Sequence, residues 1–408
     1  MRASTKKSLI AGLDIGTSKV VALVGEIAES GEVELLGIGS DQSRGVKRGV
    51  VVDIENTVKS IRHAVEEAEV MAGQPIRSVY VGVAGGHVRS LNSHGIVAIR
   101  DGEVSTNDIE RVIDAARAVP IPADQKVLHI LPQEFIVDDQ DGIREPVGMS
   151  GVRLESQVHI VTGAASASQN IVKCVHRCGL DVDEIVLEQL ASSQAVLMED
   201  EKDLGVCLVD IGGGTTDIAL FGGGAIRHTA VIPIAGAQVT NDIALALRTP
   251  IPHAEEIKIQ YGCARAGFTS EDETIQVPAL GDRPPRRLPR RSLAEVVEPR
   301  CEELLGLVRD QIRRTGLEGV AGGVVLTGGS ARMEGLVEMA EDVFQMPVRL
   351  GHPNSVTGLG DVIRNPVYAT AVGLLTLDHE THNHLVNVET TGLRRAFDRM
   401  RGWIQGVH

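Results

Sequence analysis

Apolar and polar positions follow the same order in two distant parts of the chain. An apolar run over 9–15 ends in Asp14-Ile15-Gly16, passes Thr17 and Ser18, and becomes apolar again over 19–27. Residues 208–220 repeat this, with Asp210, three glycines (Gly212, Gly213, Gly214), Thr215, Thr216 and Asp217 between two apolar runs. Each stretch reads as a β-hairpin with a glycine- and hydroxyl-rich turn. Further strands are expected at 32–39, 78–83, 96–99, 126–137 (interrupted by Pro132), 157–162, 182–187, 225–234 and 323–327. Apolar residues at helical spacing predict helices over 53–71, 106–118, 164–178, 188–199, 253–266, 292–314, 333–343 and 367–376, and another opening at Gly236. Ser105 and Asp108 stand where a capping box would start the second of these.

The pattern changes character in three places. From Gly85 to Gly95 the chain is polar and basic. Between Arg283 and Arg300 six arginines face two acids, and 283–291 reads as a solvated, mobile Pro- and Arg-rich loop. After a polar segment at 378–391, Leu393, Phe397, Met400, Ile404 and Val407 form an apolar stripe at helical spacing, beside four arginines and Trp403.

Composition narrows the class. At 408 residues the chain is long enough for two domains or more. Aromatics make up 2% against 43% hydrophobic residues, so the core is aliphatic, and 45 glycines favour an α/β class rich in tight turns. A net charge of −15 argues against general nucleic-acid binding. The five cysteines have no CxxC spacing, which points to reduced, buried thiols. No apolar run reaches the ~18 residues of a spanning helix.

Glycine turns let backbone N–H groups approach an anion, so the two hairpins suit a phosphate chain, with Asp210 and Asp217 able to hold a divalent cation beside it. Either hairpin alone is equally well a ligand-free tight turn; two of them half a chain apart suggest similar domains facing one nucleotide. The acidic turn 138–142 lacks the spacing and final Glu of a calcium loop and reads as solvated. His379, His382 and His384 form a solvated linker rather than a metal site.

With a third glycine element, Gly328-Gly329-Ser330, the chain resembles the actin, sugar-kinase and heat-shock-chaperone ATPase superfamily, whose phosphate-1, phosphate-2 and adenosine motifs come in this order. Helices at 188–197 and 365–376 are similar to its two interdomain connecting helices. Within it the chain resembles the FtsA family of bacterial cell-division proteins, through residues 10–19, 81–95, 208–221, 254–262, 293–300 and the amphipathic tail. The resemblance implies an α/β, actin-like two-domain ATPase fold with an inserted small α+β subdomain and a C-terminal amphipathic helix. Residues 1–84, 163–200 and 364–377 would form domain 1A, 85–162 the insert 1C, 201–250 and 315–363 domain 2A, and 251–314 subdomain 2B. A flexible linker (378–391) and a membrane-targeting helix (392–408) would follow.

ATP and Mg2+ are the implied ligands. Gly16, Thr17, Ser18 and Lys19 match phosphate 1; Gly212, Gly213, Gly214, Thr215 and Thr216 match phosphate 2; Gly328, Gly329 and Ser330, with Gly236, match the adenosine side. Glu255 and Lys258 look like the pair flanking adenosine, although by spacing alone they are an ordinary surface ion pair. Asp14 and Asp210 match the acids holding Mg2+ through water. Glu188 matches an acid that positions the attacking water, and by itself is a helix N-terminal acid. The implied activity is ATP binding with slow or weak hydrolysis. The implied partners are further copies in a filament, the FtsZ C-terminal tail (with Arg300 in the binding part), other division proteins through 85–162, and an anionic membrane surface. The resemblance places the protein, peripherally, on the cytoplasmic face of the inner membrane at the division site. Leu393, Phe397, Met400, Trp403 and Ile404 would meet the membrane, although such a helix also suits docking to a core or a partner. A small-molecule kinase of the same superfamily is the alternative reading.

Overall fold

The computed structural model describes residues 8–28, 31–281, 283–316 and 320–377. The expected linker at 378–391 and the amphipathic helix with Leu393, Phe397, Met400, Trp403 and Ile404 lie outside the described residues. The chain divides into two compact units. The larger comprises Met1–Leu91, Ile121–Leu128 and Thr162–Thr376; the smaller includes Asn92–Pro120 and His129–Val161.

The larger unit contains two sheets of matching topology. One has the strand order Asp181–Leu187, Ser78–Val83, Ser8–Ile15, Lys19–Ile27, Val33–Gln42 and Val356–Thr357. The other has the order Val348–Leu350, Val324–Thr327, Val206–Ile211, Thr216–Gly222 and Ala225–Ile232. In each, an antiparallel hairpin lies at the centre, Asp14 facing Val21 in one and Asp210 facing Asp217 in the other. A parallel strand then joins the free side of the hairpin's first strand. Val206–Ile211 is buried at all six positions. Elements covering both faces of a sheet remove the usual alternation, which is why these strands read as continuous apolar runs.

Helix Ile54–Ala72 starts where Asp53 accepts the Asn56 N–H at 3.1 Å and stops at Gly73, whose φ of 66° is left-handed. Glu188–Val196 and Ala369–Thr376 pack against one another. A Cβ at Gly373 would collide with the Ala191 carbonyl, so glycine sets this close approach. The expected helix over 188–199 is in fact two, because the chain is extended at Leu197 and Met198 before Glu199–Leu204. The expected helix over 253–266 is Ile251–Tyr261, followed by a single turn at Ala266–Phe268.

The Pro- and Arg-rich stretch is ordered rather than a mobile loop. Arg286–Pro289 pairs antiparallel with Thr274–Val277, and a 25-residue helix begins at Arg290. Arginine side chains pin it: Arg287 Nε donates to Thr274 Oγ1 at 2.7 Å, and Arg290 Nε to the Tyr261 carbonyl at 2.8 Å. A two-stranded ribbon has free edges, so its prolines cost few ladder hydrogen bonds. All five cysteines are free thiols.

The smaller unit holds most of a four-stranded sheet, ordered Arg89–Ala98, Arg153–Ala164, Gln125–Val137 and Gln140–Ile143, and the helix Thr106–Arg117. Both halves of the Ser105–Asp108 capping box are formed. The first strand begins at Arg89, seven residues before the apolar pattern suggested. Most of its side chains are exposed or half-buried, so no alternation of apolar residues marks it. Pro132 is tolerated inside Gln125–Val137 because pairing with Gln140–Ile143 begins only at Phe135. The acidic turn is tied to the start of the strand Arg153–Ala164: Asp138 Oδ1 accepts the Val152 and Arg153 N–H groups at 3.1 and 3.0 Å.

Candidate functional site

The two equivalent hairpin turns meet in the larger unit. A Cβ on Gly213 would collide with Ser18 Oγ, and one on Gly214 with Thr17 Oγ1. Thr17 Oγ1 also accepts the Gly49 N–H at 3.1 Å, which orients the hydroxyl. Behind the second turn, the Gly236 and Ala237 N–H groups donate to the Gly212 and Gly213 carbonyls at 3.2 and 2.7 Å. The third glycine element closes on the same place. Ser330 Oγ donates to the Gly212 carbonyl at 2.9 Å, and Gly328 has a φ of 87° that brings it against Asp210 Oδ1, where no side chain would fit. Gly329 lies near Val367, with little else around it.

Glu255 and Lys258 share a face of Ile251–Tyr261, and their ion pair is 2.7 Å long. It is no ordinary surface pair. The Lys258 side chain is 10% exposed and also donates to the Gly236 carbonyl at 3.1 Å and Thr240 Oγ1 at 2.9 Å. Thr240 in turn donates to Glu255 Oε2. Lys258, Ser330 and the Gly212 carbonyl thus surround Gly236, leaving no space for a side chain there.

Carboxylates gather at the floor. Asp14 ends the first strand, Asp210 sits on the equivalent strand, Asp217 faces it across the hairpin, and Glu188 opens its helix. Burial pushes the Asp14 carboxyl up to about 6, with Lys19 opposing and Asp210 reinforcing the shift. Burial also raises Asp217 to about 8, with Asp210 and Asp14 adding to it and the Thr215 hydroxyl bond, at 2.9 Å, working against it. Glu188 is raised well above the usual range by burial and then by Asp14, Asp217 and Asp210. Asp210 is raised by burial, while Ser192, Thr370 and Lys19 restrain the shift. Lys19 is the cation that these acids act on; burial lowers it to about 8 although Asp14 and Asp210 favour its charge. Its Nζ donates to the Val367 carbonyl at 2.7 Å and stands 4.4 Å from the centre of the Tyr368 ring.

Among the described residues no three acids, histidines or cysteines form a direct metal-binding group. A cation beside Asp14 and Asp210 would relieve their mutual repulsion. Backbone amides at glycines, the Thr17 and Ser18 hydroxyls and Lys19 are donors of the kind that phosphate oxygens accept.

The structure brings Thr17 and Ser18 against Gly213 and Gly214, Gly328 against Asp210, and Ser330 and Lys258 against Gly236, while Lys19 and Glu188 interact with Asp14 and Asp210. Thr216 differs in role, since its hydroxyl donates inward to the Ile234 carbonyl at 2.8 Å. Arg300 lies elsewhere, as a two-pronged partner of Asp242 (2.6 and 3.2 Å) that also reaches Glu303. Sequence reasoning missed Thr370, which donates to Asp210 Oδ2 at 3.2 Å, and the contacts of Lys19 with Val367 and Tyr368. A hydroxyl within the otherwise apolar run 369–375 was the available signal for Thr370.

Relatives bear on this arrangement. Residues 207–373 match the family described as Cell division protein FtsA, and 85–162 match the SHS2 domain inserted in FTSA. Cell division protein FtsA of Pseudomonas aeruginosa is 62% identical over 407 residues, which is 98% of each chain. Among solved structures, a chain of the PilM-PilN type IV pilus biogenesis complex aligns with a TM-score of 0.66 at 17% identity, over 90% of this chain and 97% of that one. MreB5 of Spiroplasma citri bound to ADP aligns with a TM-score of 0.56 at 15% identity, over 93% and 98%. These two establish the actin-like fold alone. With the inserted subdomain and near-complete coverage at high identity, the chain belongs to the FtsA family of cell-division proteins.

Proposed function

We propose that the protein binds ATP with Mg2+ between its two hairpin turns, assembles into a filament on the inner face of the cytoplasmic membrane at the division site, and tethers FtsZ there. The convergence of Gly16–Lys19, Gly212–Thr216 and Gly328–Ser330 on one cleft carries the nucleotide part of this reading. Lys19 and the glycine amides would hold phosphate oxygens, while Lys258, Glu255 and Gly236 would border the base and ribose. A Mg2+ ion supplies charge neutralisation when bound, and Asp14 and Asp210 would hold its water shell.

Hydrolysis is expected to be slow. Glu188 is the acid that would orient a water, and burial, reinforced by Asp14, Asp217 and Asp210, raises its carboxyl and so disfavours the ionised form that a base needs. Slow turnover suits a switch in which the nucleotide holds a state and is not consumed quickly. FtsZ binding by its C-terminal tail, with Arg300 among the contacts, recruitment of later division proteins through 85–162, and membrane attachment through Leu393, Phe397, Met400, Trp403 and Ile404 complete the reading by family membership. One amphipathic helix anchors weakly, so assembly of several copies would strengthen attachment.

Sedimentation with phosphatidylglycerol vesicles tests it. The full chain is expected to pellet with vesicles, more so with ATP and Mg2+, and to carry FtsZ down with it. Trp403→Glu is expected to leave both proteins in the supernatant. A wild-type chain that stays soluble with anionic vesicles, with and without ATP, overturns the tether.

A further inference from the structure

A cavity of about 440 Å3 opens on the larger unit, apart from the glycine-lined cleft. Its lining comes from three elements: Lys126 near the start of Gln125–Val137, the face of helix Ala165–Arg177, and Ile185 on the strand Asp181–Leu187. The Ala165 N–H donates to the Asp124 carbonyl at 2.9 Å, which ties the helix start to the segment bearing Lys126. The size falls in the range of small-molecule sites.

The lining combines positive charge with apolar surface. Lys126, Lys173, His176 and Arg177 contribute cations or protonatable nitrogen, and Ala165, Val172 and Ile185 contribute apolar wall. Such a cluster stands out in a chain of net charge −15. The side chains of Lys126, Lys173 and His176 have no hydrogen-bond or ion-pair partner among the described residues. Arg177 pairs with Glu55, but both are well exposed, so the pair is weak and exchangeable. Ser168, 3% exposed, also lines the cavity, and its hydroxyl is buried without a partner. A buried hydroxyl left unbonded costs free energy that a ligand oxygen would recover.

Helix-end electrostatics explain part of this, since His176 and Arg177 sit in the last turn, where cations are favoured. They do not explain Lys126, which arrives from another element, or the unbonded Ser168. Several cations drawn from two elements fit an anion with several oxygens better than a planar carboxylate, which one guanidinium satisfies.

We propose that this cavity binds a phosphoryl group carried on a short apolar stem. Lys126 and Lys173, from two different elements, hold the phosphoryl oxygens, and the stem lies against Val172 and Ile185. The same chemistry occurs in a soluble phosphate ester and in a lipid headgroup. The proposal is independent of nucleotide binding in the cleft.

Hexyl phosphate and phosphatidylglycerol vesicles distinguish the two sources. On the full-length protein, hexyl phosphate is expected to slow amide exchange in residues 165–177. The double variant Lys126→Glu/Lys173→Glu is expected to bind it at least about tenfold more weakly. Both lysines are exposed, so the variant is expected to keep its melting temperature. Hexanol and inorganic phosphate, each carrying half of the ligand, are expected to bind less tightly than hexyl phosphate. In the second arm, a Trp403→Glu background suppresses the tail's share of vesicle binding, so that any binding beyond the supernatant level comes from elsewhere on the chain. Residual vesicle binding that disappears on adding the two charge reversals identifies a lipid headgroup as the source. If hexyl phosphate leaves exchange in 165–177 unchanged, and vesicle binding ignores the charge reversals, the proposal is overturned.

Discussion

Asp14, Asp210, Asp217 and Glu188 share one cleft with Lys19, and this imbalance makes the cleft sensitive to pH. Asp217 shows the sign. Its carboxyl titrates near the usual 3.8 in the unfolded chain and at about 8 in the folded one. Below 3.8 both forms are protonated, so the residue has no effect on stability. Between those values the unfolded chain releases a proton that the folded chain keeps, so stability falls as pH rises. Asn cannot ionise. The stability gain of Asp217→Asn over wild type is therefore expected to widen from pH 4 to pH 8 in Mg2+-free buffer, read from urea midpoints. A gap that narrows with rising pH contradicts the assignment.

Secondary-structure elements succeed here where two backbones approach closely. The connecting helices Glu188–Val196 and Ala369–Thr376 touch at Gly373, where a Cβ would overlap the Ala191 carbonyl. Gly306, inside helix Arg290–Arg314, has open space around it. Gly373→Ala is expected to destabilise the protein by about 1–3 kcal/mol through overpacking. Gly306→Ala is expected to stabilise it by roughly 0.5–1 kcal/mol through helix propensity. Thermal or urea unfolding of the two variants side by side checks both signs. Equal effects would mean that the connecting helices yield easily. The capping box at Ser105 was legible because such a cap is local: a side chain bonds a backbone group three residues away. The strand from Arg89 and the ribbon at Arg286–Pro289 were not, because pairing partners elsewhere in the chain hold them.

At the scale of the whole molecule, the duplicated sheets give the cleft two similar walls, and a ligand touching both would stabilise the folded state by mass action. ATP with Mg2+ at ~100 times its dissociation constant is expected to add about 2.7 kcal/mol. For a chain of this length that is a rise of a few degrees in the melting temperature. Gly214→Val, which drives a side chain into Thr17, is expected to lose that rise, and omission of Mg2+ to diminish it. A ligand-induced shift that survives Gly214→Val would place the phosphates elsewhere.

The two hairpins, the order of the three glycine elements and the Ser105 capping box could be read without the fold, because each is written in neighbouring residues or in a repeated pattern. It took the folded chain to bury Lys258 against Gly236, bring Thr370 to Asp210, rest Lys19 on Val367 and Tyr368, and hold Arg300 at Asp242. Those contacts join residues far apart in the chain, and no local pattern specifies which distant partner will arrive. The raised carboxyls have the same origin: burial and mutual repulsion exist only once folding has brought the acids into one low-dielectric cleft.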